Sequence, residues 1–262
     1  SISAQVFVVK NKVAYNPDSV RRELEKAPYF SLFKDNYFAG GTSVGSKPTV
    51  KNSNVKFQIS ISQRLTKSQL PFDTYLFVAY TQKNIWNVFE ESLPMQDMNF
   101  NPGIGLGHLI IRKNKYIGKA YFMIEHESNG KDSILSRSWN KVTLATSLMI
   151  SNNFELQLKA WVPIIDSGNN KDILTYNGLG QTALNYMTDN GRLRLATIIT
   201  WRKKFMRFNS QWEISYKLSR KENQFLFLQY YNGYGENLLD YNKFKSIVRI
   251  GFVIKPEAFS FY

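Results

Sequence analysis

Hydrophobic and polar positions alternate with a period of two along most of this chain. Val55, Phe57, Ile59 and Ile61 interleave with Lys56, Gln58, Ser60 and Ser62. Phe154, Leu156, Leu158, Ala160, Val162 and Ile164 interleave with Glu155, Gln157, Lys159 and Trp161. Leu193, Leu195, Thr197 and Ile199 alternate with Arg192, Arg194 and Ala196, and Trp212, Ile214, Tyr216 and Leu218 with Glu213, Ser215 and Lys217. Successive side chains on a strand leave opposite faces, so each run predicts a strand with one apolar and one polar side. Turn residues such as Asp189-Asn190-Gly191 separate the runs. Roughly twelve such segments follow one another from about residue 34, many near the ~9–11 residues that carry a tilted strand across a bilayer. Residues 1–33 lack the alternation, and Asn16-Pro17-Asp18-Ser19 ahead of Val20 predicts a short helix there. The expected organisation is an N-terminal segment, 1–33, followed by a single β-domain, 34–262.

Period-two alternation fits two architectures. A soluble sandwich or barrel points its apolar face inward. A membrane barrel turns that face to lipid and keeps polar side chains inside. No run of 18 apolar residues occurs, which excludes a helical span and leaves a barrel open. Aromatic residues make up 15% of the chain, enough for the interfacial girdles of a membrane barrel. The net charge of +14 calls for an anionic neighbour, either nucleic acid or the phosphates of a membrane surface. Cysteine is absent, which removes disulfides and thiolate metal sites. The chain opens at Ser1 without Met or an apolar leader, which predicts a mature form after signal-peptide removal.

The segment around 126–140 decides between the two architectures. Ala120, Phe122 and Ile124 are followed on the same face by His126 and Ser128, while Tyr121, Met123, Glu125 and Glu127 take the other. In the next strand Asn140 leads the apolar row Val142, Leu144, Thr146, Leu148 and Ile150. The short link predicts antiparallel neighbours, with Asn140 beginning its strand at the level where Ser128 ends the previous one. Serine is a nucleophile once a base removes its proton, which assigns Ser128 and His126 those roles. The Asn140 side-chain oxygen can hold the imidazole in one tautomer. The turn Asn129-Gly130 offers backbone N–H groups to a developing oxyanion. Inside a soluble core this triad would be sealed from any substrate. Facing lipid near a strand end, it lies at the headgroup level where ester bonds sit. The expected fold is therefore an all-β, twelve-stranded antiparallel transmembrane β-barrel.

The run His126-Glu127-Ser128-Asn129-Gly130, followed by Ser136-Arg137-Ser138-Trp139-Asn140, resembles the signature of the outer membrane phospholipase A family. Val55-Lys56-Phe57-Gln58-Ile59-Ser60, Tyr80-Thr81-Gln82-Lys83 and Gly233-Tyr234-Gly235-Glu236-Asn237-Leu238-Leu239-Asp240-Tyr241-Asn242 match in the same order. The resemblance implies a calcium-dependent hydrolase of phospholipid acyl esters in the bacterial outer membrane, active as a homodimer with substrate clefts between protomers. It implies His126 as base, Ser128 as nucleophile, Asn140 as orienting residue and Gly130 N–H in the oxyanion hole. It further implies Ca2+ on the Ser136 side chain, the Lys131 carbonyl and, across the dimer, the Ser92 carbonyl. Gln82 would hydrogen-bond across the dimer interface, with Ile59 and Ile61 packing nearby.

Other features read more plainly. Pro102-Gly103-Ile104-Gly105-Leu106-Gly107 precedes no helix, so its glycines indicate close approach or curvature rather than a phosphate cradle. His108 reads as a girdle or interior residue. The basic tract from Trp201 to Arg207 reads as a contact with anionic lipid headgroups, because its flanking strands are apolar on one face, and no nucleic-acid partner is expected. The rival functions are another outer-membrane lipid deacylase and a non-enzymatic barrel with a degenerate site.

Overall fold

A computed structural model describes residues 29–66, 70–113, 115–166, 168–204, 206–219, 222–256 and 260–262. The helix expected within residues 1–33 lies outside the described residues. The strands are β1 (Phe30–Ser31), β2 (Asn36–Ser43), β3 (Ser53–Arg64), β4 (Thr74–Trp86), β5 (Met95–Arg112), β6 (Lys115–Ser128) and β7 (Ser138–Met149). They continue with β8 (Phe154–Asp166), β9 (Gly180–Met187), β10 (Leu193–Trp201), β11 (Phe208–Lys217), β12 (Gln224–Gly233) and β13 (Lys245–Ile254). From β2 onward each strand pairs antiparallel with the next, and β13 returns to pair with β2 from Ile247↔Ser43 to Ile254↔Asn36. Twelve strands thus close into a barrel. β1 runs along β3 beyond the end of β2, Ser31 opposite Ser62 and Tyr37 opposite Gln58, so it continues the first wall strand across a break at 32–35.

The direction of the faces is the one expected for lipid. Val162 is 67% exposed while its neighbour Trp161 is 8% exposed. Phe38, Ile104, Phe122, Ile124, Leu144, Ile214, Ile250 and Phe252 all stand on the exposed outer wall, whereas Lys56, Glu125, Lys141, Thr143, Glu155 and Arg249 are buried inside. A charged side chain in such an interior needs a partner, and these have them. Glu236 accepts from Arg249 Nη1 at 2.5 Å and from Lys56 Nζ at 3.3 Å. Lys141 Nζ donates to Glu127 at 3.0 Å, and Thr143 donates to Glu125.

Two plugs fill the lumen. At one end Phe33, Phe77, Tyr121 and Phe261 pack together, the last carried in by a tail that turns back into the barrel. Lys255 and Ser260 bond Asp35, and Tyr262 Oη donates to Asn185 at 2.8 Å. The glycines of β5 make room for this cluster: a Cβ on Gly107 would lie 2.3 Å from the Tyr75 ring. At the other end the loop 234–244 folds into the mouth, where Leu238 and Tyr241 pack on Trp139, Trp161 and Ile173. Leu238 N–H donates to Asn99 and Leu239 N–H to Asp97. That mouth also carries the loops 44–52, 87–94, 129–137 and 168–179 and the connection from β10 to β11, whereas turns such as 150–153 and 188–192 lie at the opposite mouth. Apart from 65–73, the connections at the opposite mouth are short, and on the whole the longer ones gather at the first mouth, the asymmetry of outer-membrane barrels, whose longer loops face outside.

Glu236 ties the outer loop to the wall, and this sets a pH dependence. Burial works against its charge, but Arg249 and Lys56 outweigh burial and hold the carboxyl down at about 2. A lowered carboxylate pKa contributes stability that is present above its unfolded value of about 4.5 and is lost as pH falls toward 2, amounting to roughly 3 kcal/mol. Glu236→Gln should therefore unfold more easily than wild type at pH 7 in detergent. The gap should narrow between pH 5 and pH 2 in urea titrations followed by tryptophan fluorescence. Equal stability at pH 7 would contradict the assignment.

Candidate active site

The hairpin of β6 and β7 carries the candidate residues, because both strands end at the outer mouth with their apolar rows turned to lipid. His126 stands directly opposite Asn140, and Ser128 opposite Ser138. The imidazole Nδ1 lies 2.9 Å from Asn140 Oδ1. An amide oxygen only accepts, so Nδ1 carries the proton and Nε2 is left as the free base. Ser128 follows two positions along the same face of β6. On the β7–β8 ladder the register shifts between Asn140 and Lys141, which face Ile165 and Pro163, so the extra residue of this bulge, Ile164, belongs to β8.

The turn after Ser128 is held by the side chain of Asn129, which is 1% exposed. Its Nδ2 donates to Leu135 O at 2.9 Å, and its Oδ1 accepts from Arg137 N–H at 2.9 Å. Its own backbone N–H is spent on Arg137 O. Of the two N–H groups expected to meet an oxyanion, Asn129 is thus engaged, while Gly130 N–H enters no hydrogen bond among the described residues. Gly130 has φ +62°, and a Cβ there would lie 2.9 Å from the Phe100 ring. From the neighbouring loop, Asn170 accepts from Ser138 N–H at 3.2 Å and donates to Ser138 O at 3.1 Å, extending the sheet past the end of β7. Asn169 donates to Ser133 O at 2.8 Å. Neither the Asn129 staple nor the Asn170 brace was expected from the sequence: single asparagines in loops carry no pattern, and only the fold shows what they reach.

Lys131 and Ser136 belong to this same 129–137 loop. Arg137 Nη1 donates to Ile134 O and Ser136 O, which stiffens it. The Ser136 hydroxyl and the Lys131 carbonyl enter no hydrogen bond among the described residues, so both oxygens are free to ligate a hard cation. No group of three or more His, Cys, Asp or Glu side chains gathers there among the described residues, and the two oxygens singled out are neutral donors. Such a set suits hydrated calcium completed from elsewhere. Ser92 lies on the exposed tip of the β4–β5 hairpin with φ +66°, and no hydrogen bond joins it to the 129–137 loop among the described residues.

Below His126 and Asn140 the outer wall is grooved. Cross-strand partners form a row, Asn140, His126, then Pro102, Tyr80 and Ile61, and beside it a second row, Val142, Ile124, Ile104, Val78, Gln63 and Phe30. A cavity of ≈ 490 Å³ runs between them, lined among others by Phe30, Ile61, Val78, Ile104, His126 and Asn140. His126 lies near the outer end of β6, Tyr80 midway along β4, and Phe30 by the opposite mouth, so the groove slopes down the barrel across five inter-strand steps, about 24 Å. Gln82 and Ile59 are opposite one another one row higher, in line with Phe100 and Ser128. Gln82 is tethered on its own strand, accepting from Tyr80 Oη at 2.9 Å and donating to Asn84 at 3.0 Å.

A family model described as Phospholipase A1 matches residues 31–254. The Phospholipase A1 of Escherichia coli K12 is 30% identical over 211 residues, spanning 78% of this chain and 70% of that protein. The Phospholipase A1 of Proteus vulgaris is 30% identical over 205 residues, 76% and 69% of the two chains. Among solved structures, outer membrane phospholipase A from Escherichia coli superposes with a TM-score of 0.77 at 24% identity, covering 86% of this chain and 98% of that one. The Salmonella typhi outer membrane phospholipase dimer with bound calcium gives 0.78 at 24% identity, covering 90% and 97%. These superpositions establish the barrel fold.

Gly130→Ala should place a Cβ in a left-handed conformation that costs roughly 1–2 kcal/mol and presses on Phe100. The expected result is a folded barrel whose thermal unfolding falls by no more than roughly a few degrees, a loop at 129–137 more open to limited proteolysis, and hydrolytic activity reduced at least tenfold. An alanine variant of full activity would show that the turn geometry is not required.

Proposed function

The chain belongs to the phospholipase A1 family, and from that premise we propose that it hydrolyses the acyl esters of glycerophospholipids at the outer rim of its barrel through Ser128, His126 and Asn140. The observation that carries this reading is the 2.9 Å contact between His126 Nδ1 and Asn140 Oδ1 on a wall that faces lipid. A polar pair of this kind has no structural use on an apolar surface, where each unsatisfied group costs free energy. The groove beneath it supports an acyl substrate, since a track about 24 Å long and mostly apolar accommodates a fatty chain lying against the barrel.

The chemistry follows from the atoms present. His126 Nε2 removes the Ser128 proton as Oγ attacks the ester carbonyl carbon. Asn140 keeps the imidazole in the competent tautomer and stabilises its protonated form. The oxyanion meets the Gly130 N–H. Collapse breaks the acyl C–O bond, and His126 returns the proton to the leaving lysophospholipid oxygen. Water, deprotonated by His126, then cleaves the acyl-serine, releasing a fatty acid and restoring Ser128. Calcium, where bound, supplies positive charge to the oxyanion; the Ser136 hydroxyl and Lys131 carbonyl would hold it, with the partner subunit's Ser92 completing the set. The self-complementary outer face around Gln82, Ile59 and Ile61 would join two copies by a twofold axis, one copy's groove being covered by the other.

Release of fatty acid from phospholipid dispersed in detergent with calcium tests the reading. Ser128→Ala should lower the rate by roughly 10⁴-fold or more while leaving the barrel folded, and retained activity would refute the triad. Excess chelator should silence the wild type, and an unaffected rate would remove the metal. Activity per molecule should fall on dilution into monomers, more steeply in Gln82→Ala. Acyl release from lipopolysaccharide, with phospholipid untouched, would redirect the substrate assignment.

A further inference from the structure

The β5–β6 ladder is interrupted beside the candidate base. Phe100 pairs with Ser128 and Gly103 with Glu125, so Pro102 stands opposite His126. Directly opposed residues in an antiparallel pair exchange N–H···O bonds at alternate positions, and proline has no N–H to give. The His126 carbonyl points toward β5 at this place and lacks the ladder donor it would meet there. Left alone, a buried carbonyl costs about 1–3 kcal/mol and its peptide unit is free to tilt. The residue before the proline fills the gap: Asn101 Nδ2 donates to His126 O at 2.8 Å.

We propose that Asn101 is a positioning residue for hydrolysis, supplying from its side chain the hydrogen bond that Pro102 withholds. The carbonyl it holds belongs to the peptide unit joining His126 to Glu127, which lies between the base and Ser128. Its tilt sets the placement of imidazole and hydroxyl relative to each other. Two asparagines then grip one histidine from both sides: Asn140 on β7 fixes the ring, and Asn101 on β5 fixes the main chain. Pro102 itself lines the groove, where a rigid residue without a donor keeps the wall apolar. The pair Asn101-Pro102 reconciles an oily groove with an anchored base.

This inference rests on His126 being the base, and the test separates the two. The second-order rate at which a short-chain fluorophosphonate labels Ser128 reports nucleophile activation without use of the groove. Steady-state hydrolysis gives kcat and KM apart. Asn101→Ala and the isosteric Asn101→Asp should lower labelling and kcat roughly tenfold, with KM within about twofold, as expected for a small displacement of reacting groups. Asn101→Ala combined with Pro102→Ala restores a backbone N–H at that position and should recover most of the labelling rate. Such non-additivity is the mark of a shared interaction. Labelling of Asn101→Ala at the wild-type rate, or a double variant no faster than the single one, would overturn the proposal. If Asn101→Ala does not fold, Asn101→Asp and its Pro102→Ala combination decide by the same criteria. A His126→Ala variant labelled as fast as wild type would instead remove the base assignment; an inert His126→Ala beside a fully active Asn101→Ala would sink only the role of Asn101.

Discussion

A β-sheet placed in hydrocarbon has no water to satisfy its edges, so every backbone N–H and C=O must find a partner within the sheet. Closure of β13 onto β2 meets that demand, and most other features of this molecule follow from it. Once the sheet is a tube in lipid, the usual polarity of a protein is inverted. Phe122, Ile124, Leu144 and Val162 go outward because that solvent is oil, and Lys56, Glu125, Lys141 and Arg249 go inward because only there can partners be arranged. The interior is therefore a network of charges matched to carboxylates and amides, plugged at one mouth by a turned-back aromatic tail and at the other by the 234–244 loop.

The same inversion explains where chemistry can sit. A membrane lipid approaches the barrel from outside, so a hydrolytic site must be on the apolar wall, where a polar group is costly unless it is paired and near the rim. His126 and Asn140 satisfy each other at the outer end of β6 and β7, and the loops behind them are immobilised by Asn129 and Asn170. The groove descends from that point along cross-strand rows, so its slope comes from the register of neighbouring strands rather than from a special segment.

Requirements of wall and site collide at Pro102. An apolar, donor-free groove surface and a fully bonded backbone are incompatible at a proline in mid-sheet, and the Asn101 amide resolves the conflict beneath the surface. The outer face resolves a related conflict differently: Gln82 is satisfied along its own strand, accepting from Tyr80 Oη and donating to Asn84.

Much of this was legible before any coordinates. Alternation depends only on neighbours in sequence, so the strands, their faces and the polarity of Glu155, Gln157, Lys159 and Trp161 were readable, and the placing of His126, Ser128 and Asn140 on the apolar rows carried the architecture with it. The hairpin itself was readable, but its register was not: Asn140 was expected level with Ser128, whereas β7 begins at Ser138, which stands opposite Ser128 and moves Asn140 two residues along to face His126. What required the tertiary structure were contacts between residues far apart in the chain or without periodic signal. These include the Asn129 and Asn170 braces, the insertion of Phe261 beside Phe33, the partners of Glu236 and the meeting of Asn101 with the His126 carbonyl. Closure, strand stagger and lumen filling are set by all the strands together, and no local stretch of sequence contains them.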